Sequence, residues 1–386
     1  MKRLLVLSSL FLLLAQEAQA FSFWGLGAKK EAAPQTQSAP TYKGGNDRRG
    51  LSSEALSPPL KLAWKFKAQK DVYSSPTAVS GTVYFGSEDS QLYAVDLASG
   101  KLKWKSAEGG KIYGSSPAVD QGRVFISSSD GCLNAHKTAD GTSLWKFCPS
   151  KSPAFSSPLV AAGLVYFGAD DHFVYAVDAK SGKERWKFQT KDKIHDNSAA
   201  LSEAGLLFIG SQDGKLYALD ALKGSLKWEF SAKKGFNSCP LAVSGTVYIG
   251  SADGFLYALN EKTGKKRWAF KTGAGIGSSP ALDDAGNLVF GSADKKVYCL
   301  NAATGKKKWV FSTGAYVFAS PLIAGSTVYL GSFDKKFYAL AIKNGRLLWS
   351  KASGGQIYSS AAAAAGGKIL VGSRDGFVYC FQASKK

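Results

Sequence analysis

The 386-residue sequence predicts an all-β fold, an eight-bladed β-propeller built from four-stranded antiparallel blades. The first observation behind this prediction is a tryptophan that recurs eight times, at intervals of 40 to 42 residues. A repeat of that length with one large aromatic residue per copy is typical of propeller blades. The eight positions are Trp64, Trp104, Trp145, Trp186, Trp228, Trp268, Trp309 and Trp349.

The second observation is that each repeat divides into four short apolar runs. In the first copy these runs are Thr77–Val79, Thr82–Gly86, Leu92–Asp96 and Leu102–Trp104. The Gly, Ser and Asp residues between them supply the left-handed and polar positions that tight hairpin turns need. Helical periodicity is absent from residues 60–381, so the pattern indicates strands alone.

The third observation concerns closure of the ring. Trp64 precedes the first repeat, whereas the last repeat has no tryptophan after it. We therefore expect Leu60–Phe66 to form the outer strand of the last blade. This closure would leave neither end of the repeat array as an exposed strand edge.

Two recurrent residue types are expected to be structural. Each tryptophan should lie flat between neighbouring blades and bury about 150–250 Å². A short Asp side chain in a tight turn accepts backbone N–H bonds, whereas a calcium site needs several converging oxygens, so we predict no metal site. The turn residues are Asp89, Asp130, Asp171, Asp213, Asp253, Asp294, Asp334 and Asp375.

The segments Ala94–Trp104 and Ala258–Trp268 resemble the tryptophan-docking motif of the pyrroloquinoline-quinone (PQQ) repeat superfamily. The resemblance covers about residues 42–386. That superfamily includes quinoprotein alcohol dehydrogenases, periplasmic outer-membrane assembly factors of the BamB type, and propellers without a cofactor. The resemblance implies the fold and leaves the activity open, because one fold serves many functions.

The N-terminal residues predict export. Lys2 and Arg3, the apolar run Leu4–Ala15 and the cleavage motif Ala18-Gln19-Ala20 predict a secretory signal peptide over residues 1–20. The apolar run is too short to span a bilayer, and we predict no transmembrane segment. The periplasm is the expected location, with secretion as the alternative.

The region after the signal peptide differs in composition from the repeats. Residues 21–50 are rich in Ala, Pro, Gln, Gly and Lys, which predicts a flexible tether before a propeller over residues 51–386. Phe21 stands where BamB-type lipoproteins have the cysteine that carries their acyl anchor.

The five cysteines differ in their surroundings. Cys132 and Cys148 lie on strands that flank one turn, so they could form a hairpin disulfide in an oxidising compartment or remain thiols. Cys299 and Cys380 occupy a small strand position typical of a core thiol. Cys239 replaces the second serine of a recurring Ser-Ser-Pro element.

The charge is strongly basic. Without residues 1–20 the chain keeps 47 basic and 28 acidic residues, a formal charge of +19. The lysines and arginine of the predicted outer strands protect exposed edges from pairing, or they bind an anionic envelope surface. Nucleic acid is not an expected partner, because no nucleic-acid motif is present. The basic residues include Lys101, Lys103, Lys105, Lys265, Lys266, Arg267, Lys306, Lys307 and Lys308.

The start of each first strand should lie nearest the central channel, and aromatic residues recur there. Such a collar suits binding of a peptide or an extended strand, because aromatic side chains bury a large area at low entropic cost. The alternative is that these residues pack inward between blades. The predicted partner-binding residues are Tyr73, Tyr113, Phe155, His195, Asp196, Phe236, Phe318 and Tyr358.

Three classes of function follow from these features. The expectation is a monomeric, non-enzymatic, exported scaffold without a cofactor, which binds an envelope protein; the resemblance implies outer-membrane protein assembly. The first alternative is a quinoprotein dehydrogenase that uses PQQ and calcium, although blades of 40 to 42 residues leave no room for loops that cover a quinone. The second alternative is an envelope sensor of a small ligand or glycan.

Overall fold

The protein is an eight-bladed propeller without helices in the part described by the computed structural model, residues 49–383. Each blade is a four-stranded antiparallel sheet, and one blade carries an additional strand. The predicted fold class is therefore confirmed. The predicted signal peptide and residues 21–48 of the predicted tether lie outside the described residues.

The blades are numbered 1 to 8 in chain order, and the strands are given below in that order. The two inner strands of each blade are short, and the second of them is almost fully buried. The first, nearest the axis, are β3 (Thr77–Val79), β7 (Ala118–Asp120), β11 (Leu159–Ala161), β15 (Ala200–Leu201), β19 (Leu241–Val243), β23 (Ala281–Leu282), β27 (Leu322–Ala324) and β31 (Ala362–Ala364). The second are β4 (Thr82–Gly86), β8 (Arg123–Ser127), β12 (Leu164–Gly168), β16 (Leu206–Gly210), β20 (Thr246–Gly250), β24 (Asn287–Ser292), β28 (Thr327–Gly331) and β32 (Lys368–Gly372).

The two outer strands complete each blade. The third strands are β5 (Gln91–Asp96), β9 (Leu133–Lys137), β13 (Phe173–Asp178), β17 (Lys215–Asp220), β21 (Phe255–Asn260), β25 (Lys296–Asn301), β29 (Lys336–Ala341) and β33 (Phe377–Ala383). The outermost are β6 (Leu102–Ala107), β10 (Ser143–Phe147), β14 (Glu184–Gln189), β18 (Leu226–Ser231), β22 (Lys266–Lys271), β26 (Lys307–Ser312), β30 (Leu347–Ala352) and, in blade 8, β2 (Leu60–Lys67).

The ring closes as predicted. Strand β2 pairs antiparallel with β33, from Leu60 opposite Ala383 to Lys67 opposite Phe377. The sheet order β2-β33-β32-β31 therefore completes blade 8 with a strand from the N-terminal side of the repeats. Closure buries edges that would otherwise pair with other chains.

An additional strand was not predicted. Strand β1 (Leu51–Ser52) pairs parallel with β27 on the inner edge of blade 7. Just before it, Arg49 Nε donates to the Leu282 carbonyl of blade 6 at 3.1 Å. The Tyr329 hydroxyl of blade 7 donates to the Leu56 carbonyl at 3.1 Å. The segment that leads into β2 is thus fastened to the blades beside the closure.

The hydrophobic core lies between the faces of adjacent blades. One cluster joins Phe208 and Ala218 of blade 4 to Val247 and Ile249 of blade 5, and all four side chains are buried. Each blade therefore depends on both neighbours for burial of its two faces, as the repeat architecture requires.

The recurrent tryptophans bridge neighbouring blades. The indole of Trp228 covers Gly264 of the next blade, where an added Cβ would lie 2.6 Å from the ring. Its Nε1 donates to the Glu261 carbonyl at 2.8 Å. Six more tryptophans repeat both contacts, namely Trp64, Trp104, Trp145, Trp186, Trp268 and Trp309.

Trp349 has different surroundings, because the third strand of blade 8 pairs with β2 and the glycine turn of the other blades has no counterpart there. Its indole packs against Phe337 of its own blade and Phe381 of blade 8, with ring centroids at 6.3 and 5.5 Å. This tryptophan still lies between blades, but it makes edge contacts with aromatic rings.

A β-bulge precedes every tryptophan. In blade 1, Trp104 pairs with Ala94 and Leu102 pairs with Val95, so Lys103 is an extra residue on the outer strand. A bulge redirects the side chains that follow it. The same shift occurs in all eight blades, which places each indole toward the adjacent blade.

The turn aspartates bind backbone amides, and in seven blades they also bind a tyrosine. In blade 5, Asp253 Oδ1 accepts from the Phe255 N–H at 3.0 Å. Its Oδ2 accepts from the Tyr257 hydroxyl at 2.7 Å and from the Lys233 N–H of blade 4 at 3.1 Å. One carboxylate thus holds a turn, a strand and the neighbouring blade together. Burial alone would raise the pKa of Asp253, but these hydrogen bonds outweigh it and lower that pKa.

Tyr257→Phe should lower the free energy of unfolding by about 1.5–3 kcal/mol at pH 7, because a charged acceptor loses its hydroxyl donor. The folded-state pKa of Asp253 is depressed, so its contribution is complete above about pH 4 and is lost as the pH falls through the lower folded value. The difference in the free energy of unfolding between the native protein and Tyr257→Phe should therefore shrink over that acidic range. Urea denaturation at several pH values measures both effects. Tyr316→Phe, at an exposed ring, is the control, and an equal deficit there would contradict the role assigned to the Tyr257 hydroxyl.

Blade 2 replaces the tyrosine contact with a disulfide. Asn134 stands where the other blades have that tyrosine, and Asp130 instead contacts Lys146 Nζ at 2.8 Å. Cys132 and Cys148 join the two outer strands through a disulfide. The remaining cysteines are buried thiols, and burial raises the pKa of Cys299 to about 12.

The channel mouth as candidate functional site

The two faces of the propeller carry different strand ends and turns. One face carries the starts of the first strands together with the turns between the second and third strands, and we call it the collar face. The opposite face carries the turns after the first strands and after the third strands. The predicted collar residues all belong to segments of the collar face.

A ring of hydrogen bonds encircles the axis below the collar face. One residue per blade donates its backbone N–H to the side chain of the equivalent residue in the next blade, at 2.8 to 3.2 Å. The contact from Ser360 back to Ser75 closes the ring. Its members are Ser75, Ser116, Ser157, Ser198, Cys239, Ser279, Ser320 and Ser360. The recurring Ser-Pro element in the sequence is the signal for this ring.

Above the ring, aromatic side chains form an arc across six blades. Adjacent ring centroids in the arc lie 4.3 to 6.3 Å apart. The arc ends at blades 5 and 6, where Asn237 and Gly277 occupy the equivalent positions. In spatial order its members are Phe318, Tyr358, Tyr73, Tyr113, Phe155 and His195.

Phe236 does not belong to the collar, so its assignment as a partner-binding residue was wrong. Its side chain is fully buried in the cluster between blades 4 and 5. It occupies the position of Val72 and Ile276, which are buried in their own blades. Successive strand residues point to opposite faces, so an error of one residue exchanges a channel position for a core position.

Tyr73 is also more buried than a surface collar residue, with 7% exposure. Its ring lies between Tyr113 and Tyr358, at centroid distances of 4.3 and 5.5 Å. The Arg374 guanidinium lies 5.1 Å from its ring centroid. Arg374 also contacts Asp71, Nε to Oδ2, at 3.2 Å. Tyr73 therefore lines the inside of the mouth.

Asp196 and His195 form the polar part of the mouth. His195 Nδ1 contacts Asp170 Oδ2 at 2.9 Å, whereas its Nε2 lies 3.9 Å from Asp196 Oδ2. The Tyr358 hydroxyl donates to Asp196 Oδ2 at 3.2 Å. Blades 4 and 8 stand opposite each other in an eight-bladed ring, so this hydrogen bond crosses the channel.

The pKa values of His195 and Asp196 are both raised, but for different reasons. The hydrogen bond to Asp170 raises the pKa of His195 despite partial burial. Burial raises the pKa of Asp196, against the opposing effects of His195 and Tyr358. His195 is thus engaged by Asp170, while Asp196 Oδ1 is buried and accepts no hydrogen bond from the described residues.

The mouth encloses a central cavity of about 420 Å³ of empty space, part of it open to solvent. Seven of the eight ring residues, all but Ser116, line it, together with Tyr73, Gly114, Asp196, Asn237, Gly277, Phe318 and Tyr358. Within residues 49–383, no group of three His, Cys, Asp or Glu side chains could hold a metal ion.

Two further aromatic residues beside the mouth, one exposed and one half-buried, were not predicted. Tyr316 is 47% exposed and contacts Phe318, with centroids 5.9 Å apart. Phe333, at the turn between the second and third strands of blade 7, lies 5.2 Å from Phe318 and 6.1 Å from Tyr358. We call Tyr316, Phe318, Phe333 and Tyr358 the aromatic patch. Tyr316 and Phe333 are recognisable in the sequence because blade 7 alone has aromatic residues at both of these repeat positions.

The predicted basic residues lie at the outer rim. Those of blades 1, 5 and 6 are exposed along the outermost strands or the turns before them. A few make local contacts, such as Lys103 with the Thr82 hydroxyl at 2.8 Å and Lys308 with Asn287 at 2.5 Å. No helix in the described part of the chain is long and apolar enough to cross a membrane.

Comparison with known proteins places the fold among related propellers. A family model described as "Outer membrane protein assembly factor BamB" matches residues 59–114, 96–201, 170–276 and 256–385. The solved structure of BamB from Moraxella catarrhalis has 18% identity and a TM-score of 0.73, covering 85% of this chain and 99% of that chain. No match was found among curated proteins.

Other similar structures have different functions. Quinohemoprotein alcohol dehydrogenase from Comamonas testosteroni has 15% identity and a TM-score of 0.76, covering 90% of this chain and 81% of its own. The computationally designed protein Ika8 has 15% identity and a TM-score of 0.73, covering 82% and 97%. At these identities the likeness shows the fold alone.

Proposed function

Because the chain belongs to the family described as "Outer membrane protein assembly factor BamB", we propose that it is an exported, non-enzymatic scaffold of the cell envelope. Its partner is a protein that takes part in outer-membrane barrel assembly, and the periplasm is its location. The collar face is the binding surface.

The aromatic patch is the observation that carries this proposal. Tyr316 is a large exposed aromatic residue on a face where three further rings are only partly covered. Partly exposed aromatic residues beside a concavity are the common anchors of protein interfaces, because they desolvate a large area at small entropic cost. The rigid ring of blades holds the patch in place before binding, which reduces the cost of association.

The basic outer rim supports the envelope location. Exposed lysines on blades 1, 5 and 6 attract anionic surfaces at long range, and this attraction weakens as salt increases. The same lysines protect the outer strand edges from pairing with other chains. The rim therefore assists recruitment, while the aromatic patch provides specificity.

A crosslinking pull-down of the tagged protein from its native envelope tests the proposal. Tyr316→Ala combined with Phe318→Ala should reduce recovery of a barrel-assembly protein at least tenfold, because two anchors of about 1–2 kcal/mol each are lost. Leu222→Ala is the control, since Leu222 is 67% exposed on the opposite face. Equal recovery by the double variant, with its thermal stability unchanged, would place the partner elsewhere.

The dehydrogenase alternative requires PQQ and calcium at the centre of the ring. The residues present do not fit that group, because Asp196 is the one carboxylate among the described residues that line the cavity, and the Tyr358–Asp196 hydrogen bond crosses its mouth. A calcium ion takes six to eight oxygen ligands in proteins. Titration with PQQ and calcium chloride should therefore give no saturable change in quinone absorbance, and a stoichiometric change would replace the scaffold proposal.

A further inference from the structure

We propose that the central cavity binds a primary ammonium group, with the Asp196 carboxylate as its counter-charge and the rings of Tyr73, Phe318 and Tyr358 as its walls. The group belongs either to a free alkylamine or to a lysine side chain. This inference goes beyond the scaffold role and does not depend on it, because it concerns a property of the isolated propeller.

Asp196 lacks a cationic partner at hydrogen-bond distance among the described residues. His195 directs Nδ1 to Asp170, and its Nε2 remains 3.9 Å from the Asp196 carboxylate. The side chain of Asp196 is only 15% exposed, and its Oδ1 accepts no hydrogen bond from the described residues. A buried acceptor without a donor is costly, and an ammonium N–H would supply both the donor and the opposite charge.

The position of Asp196 is a specific feature of the chain. In most blades the ring residue lies three positions after the buried residue, as Ser75 follows Val72, whereas in blade 4 it lies four positions after, as Ser198 follows Ile194. Asp196 is the added residue, and its φ of 54° lies in the left-handed region. That conformation is unusual for a residue with a side chain and is tolerated best by Asn and Asp.

Gly114 of blade 2 lies against the Asp196 carboxylate and leaves space for it. Blade 2 has the same one-residue insertion, and its added residue is Gly114, with a φ of 76°. A Cβ at Gly114 would lie 2.7 Å from Asp196 Oδ1, so a side chain there would displace the carboxylate. The two insertions, and only these two among the eight blades, therefore bring the carboxylate into the cavity wall.

The aromatic walls select an organic cation. Tyr73, Phe318 and Tyr358 all line the cavity, and ammonium groups bind favourably over aromatic faces. A cation already lies against this wall from outside, since Arg374 stacks on Tyr73 while it is held by Asp71. A divalent metal ion is disfavoured, because a single carboxylate supplies too few oxygen ligands. Blades 5 and 6 have Asn237 and Gly277 in place of aromatic residues, so that side of the mouth has no aromatic wall.

Calorimetric titration of the purified protein with n-butylammonium tests the inference. We expect saturable one-to-one binding that 1-pentanol, a neutral analogue of similar shape, does not reproduce. Asp196→Asn should weaken binding about tenfold or more through loss of the charge. Glu203→Gln removes one negative charge from the opposite face of the same blade, and it should change affinity less than about twofold.

A second variant and a lysine analogue make each outcome decisive. Phe318→Leu should weaken binding about threefold or more, which keeps a test available if Asp196→Asn fails to fold. Nα-acetyl-lysine methylamide should bind as well as n-butylammonium if a lysine side chain is the natural group, and not at all if only a free amine fits. No heat with either amine, binding of calcium chloride instead, or equal affinity for Asp196→Asn would overturn the inference. The scaffold proposal would stand in each case, because partner capture is measured separately.

Discussion

Replacing Trp228 with alanine should lower the free energy of unfolding by about 3–5 kcal/mol. The indole is half-buried between two blades, covers Gly264 and donates a hydrogen bond of 2.8 Å to the Glu261 carbonyl. Alanine would leave a cavity that Gly264 cannot fill, because a glycine has no side chain, and it would leave that carbonyl without its donor. Denaturant titration with tryptophan fluorescence and circular dichroism measures the loss.

Leu226→Ala is the matched control for this change. Leu226 lies on the same outer strand, two residues before Trp228, but its side chain is 45% exposed. A surface substitution of this kind changes stability by about 0.5 kcal/mol or less. An unchanged midpoint for Trp228→Ala, or equal losses for the two variants, would contradict the role of the indole as the contact between blades.

Removing the disulfide of blade 2 should cost about 2–4 kcal/mol. Cys132 and Cys148 are 16 residues apart, and a crosslink over a loop of about that length restricts the unfolded chain by roughly 3 kcal/mol. Blade 2 also lacks the hydroxyl contact that the tyrosine makes with the turn aspartate in the other blades. The double variant Cys132→Ser with Cys148→Ser should therefore unfold at a lower denaturant concentration than the oxidised protein.

Dithiothreitol provides the internal control. It should destabilise the native protein to about the level of the double variant and leave that variant unchanged. The three buried thiols, Cys239, Cys299 and Cys380, are not expected to contribute. Reductant that destabilises both proteins equally would assign the effect to another part of the chain.

The repeat made the architecture predictable. Eight tryptophans at nearly constant spacing and four apolar runs per copy specify blades, and the offset of Trp64 specifies how the ring closes. Strand β1 escaped prediction because two residues carry no alternating pattern. The bulge before each tryptophan was also missed, since an extra residue in one strand is visible only when its partner strand is aligned beside it.

The channel mouth was predictable in outline but not in register. Aromatic residues before each Ser-Pro element indicated a collar, yet Phe236 was assigned to it although it occupies the neighbouring core position. Asp196 was identified as a collar residue, but its position opposite Tyr358 depends on ring geometry that a linear sequence does not display. Tyr316 and Phe333 belong to turns that come together only in the folded blade.

The most direct test of the scaffold account is site-specific photocrosslinking in the native envelope. A benzophenone amino acid placed at Tyr316 on the collar face is compared with one at Leu222 on the opposite face, both exposed in the structure. The account predicts that position 316 crosslinks to an outer-membrane barrel-assembly protein and that position 222 does not. Crosslinks to that protein from position 222 alone, or from neither position, would contradict it.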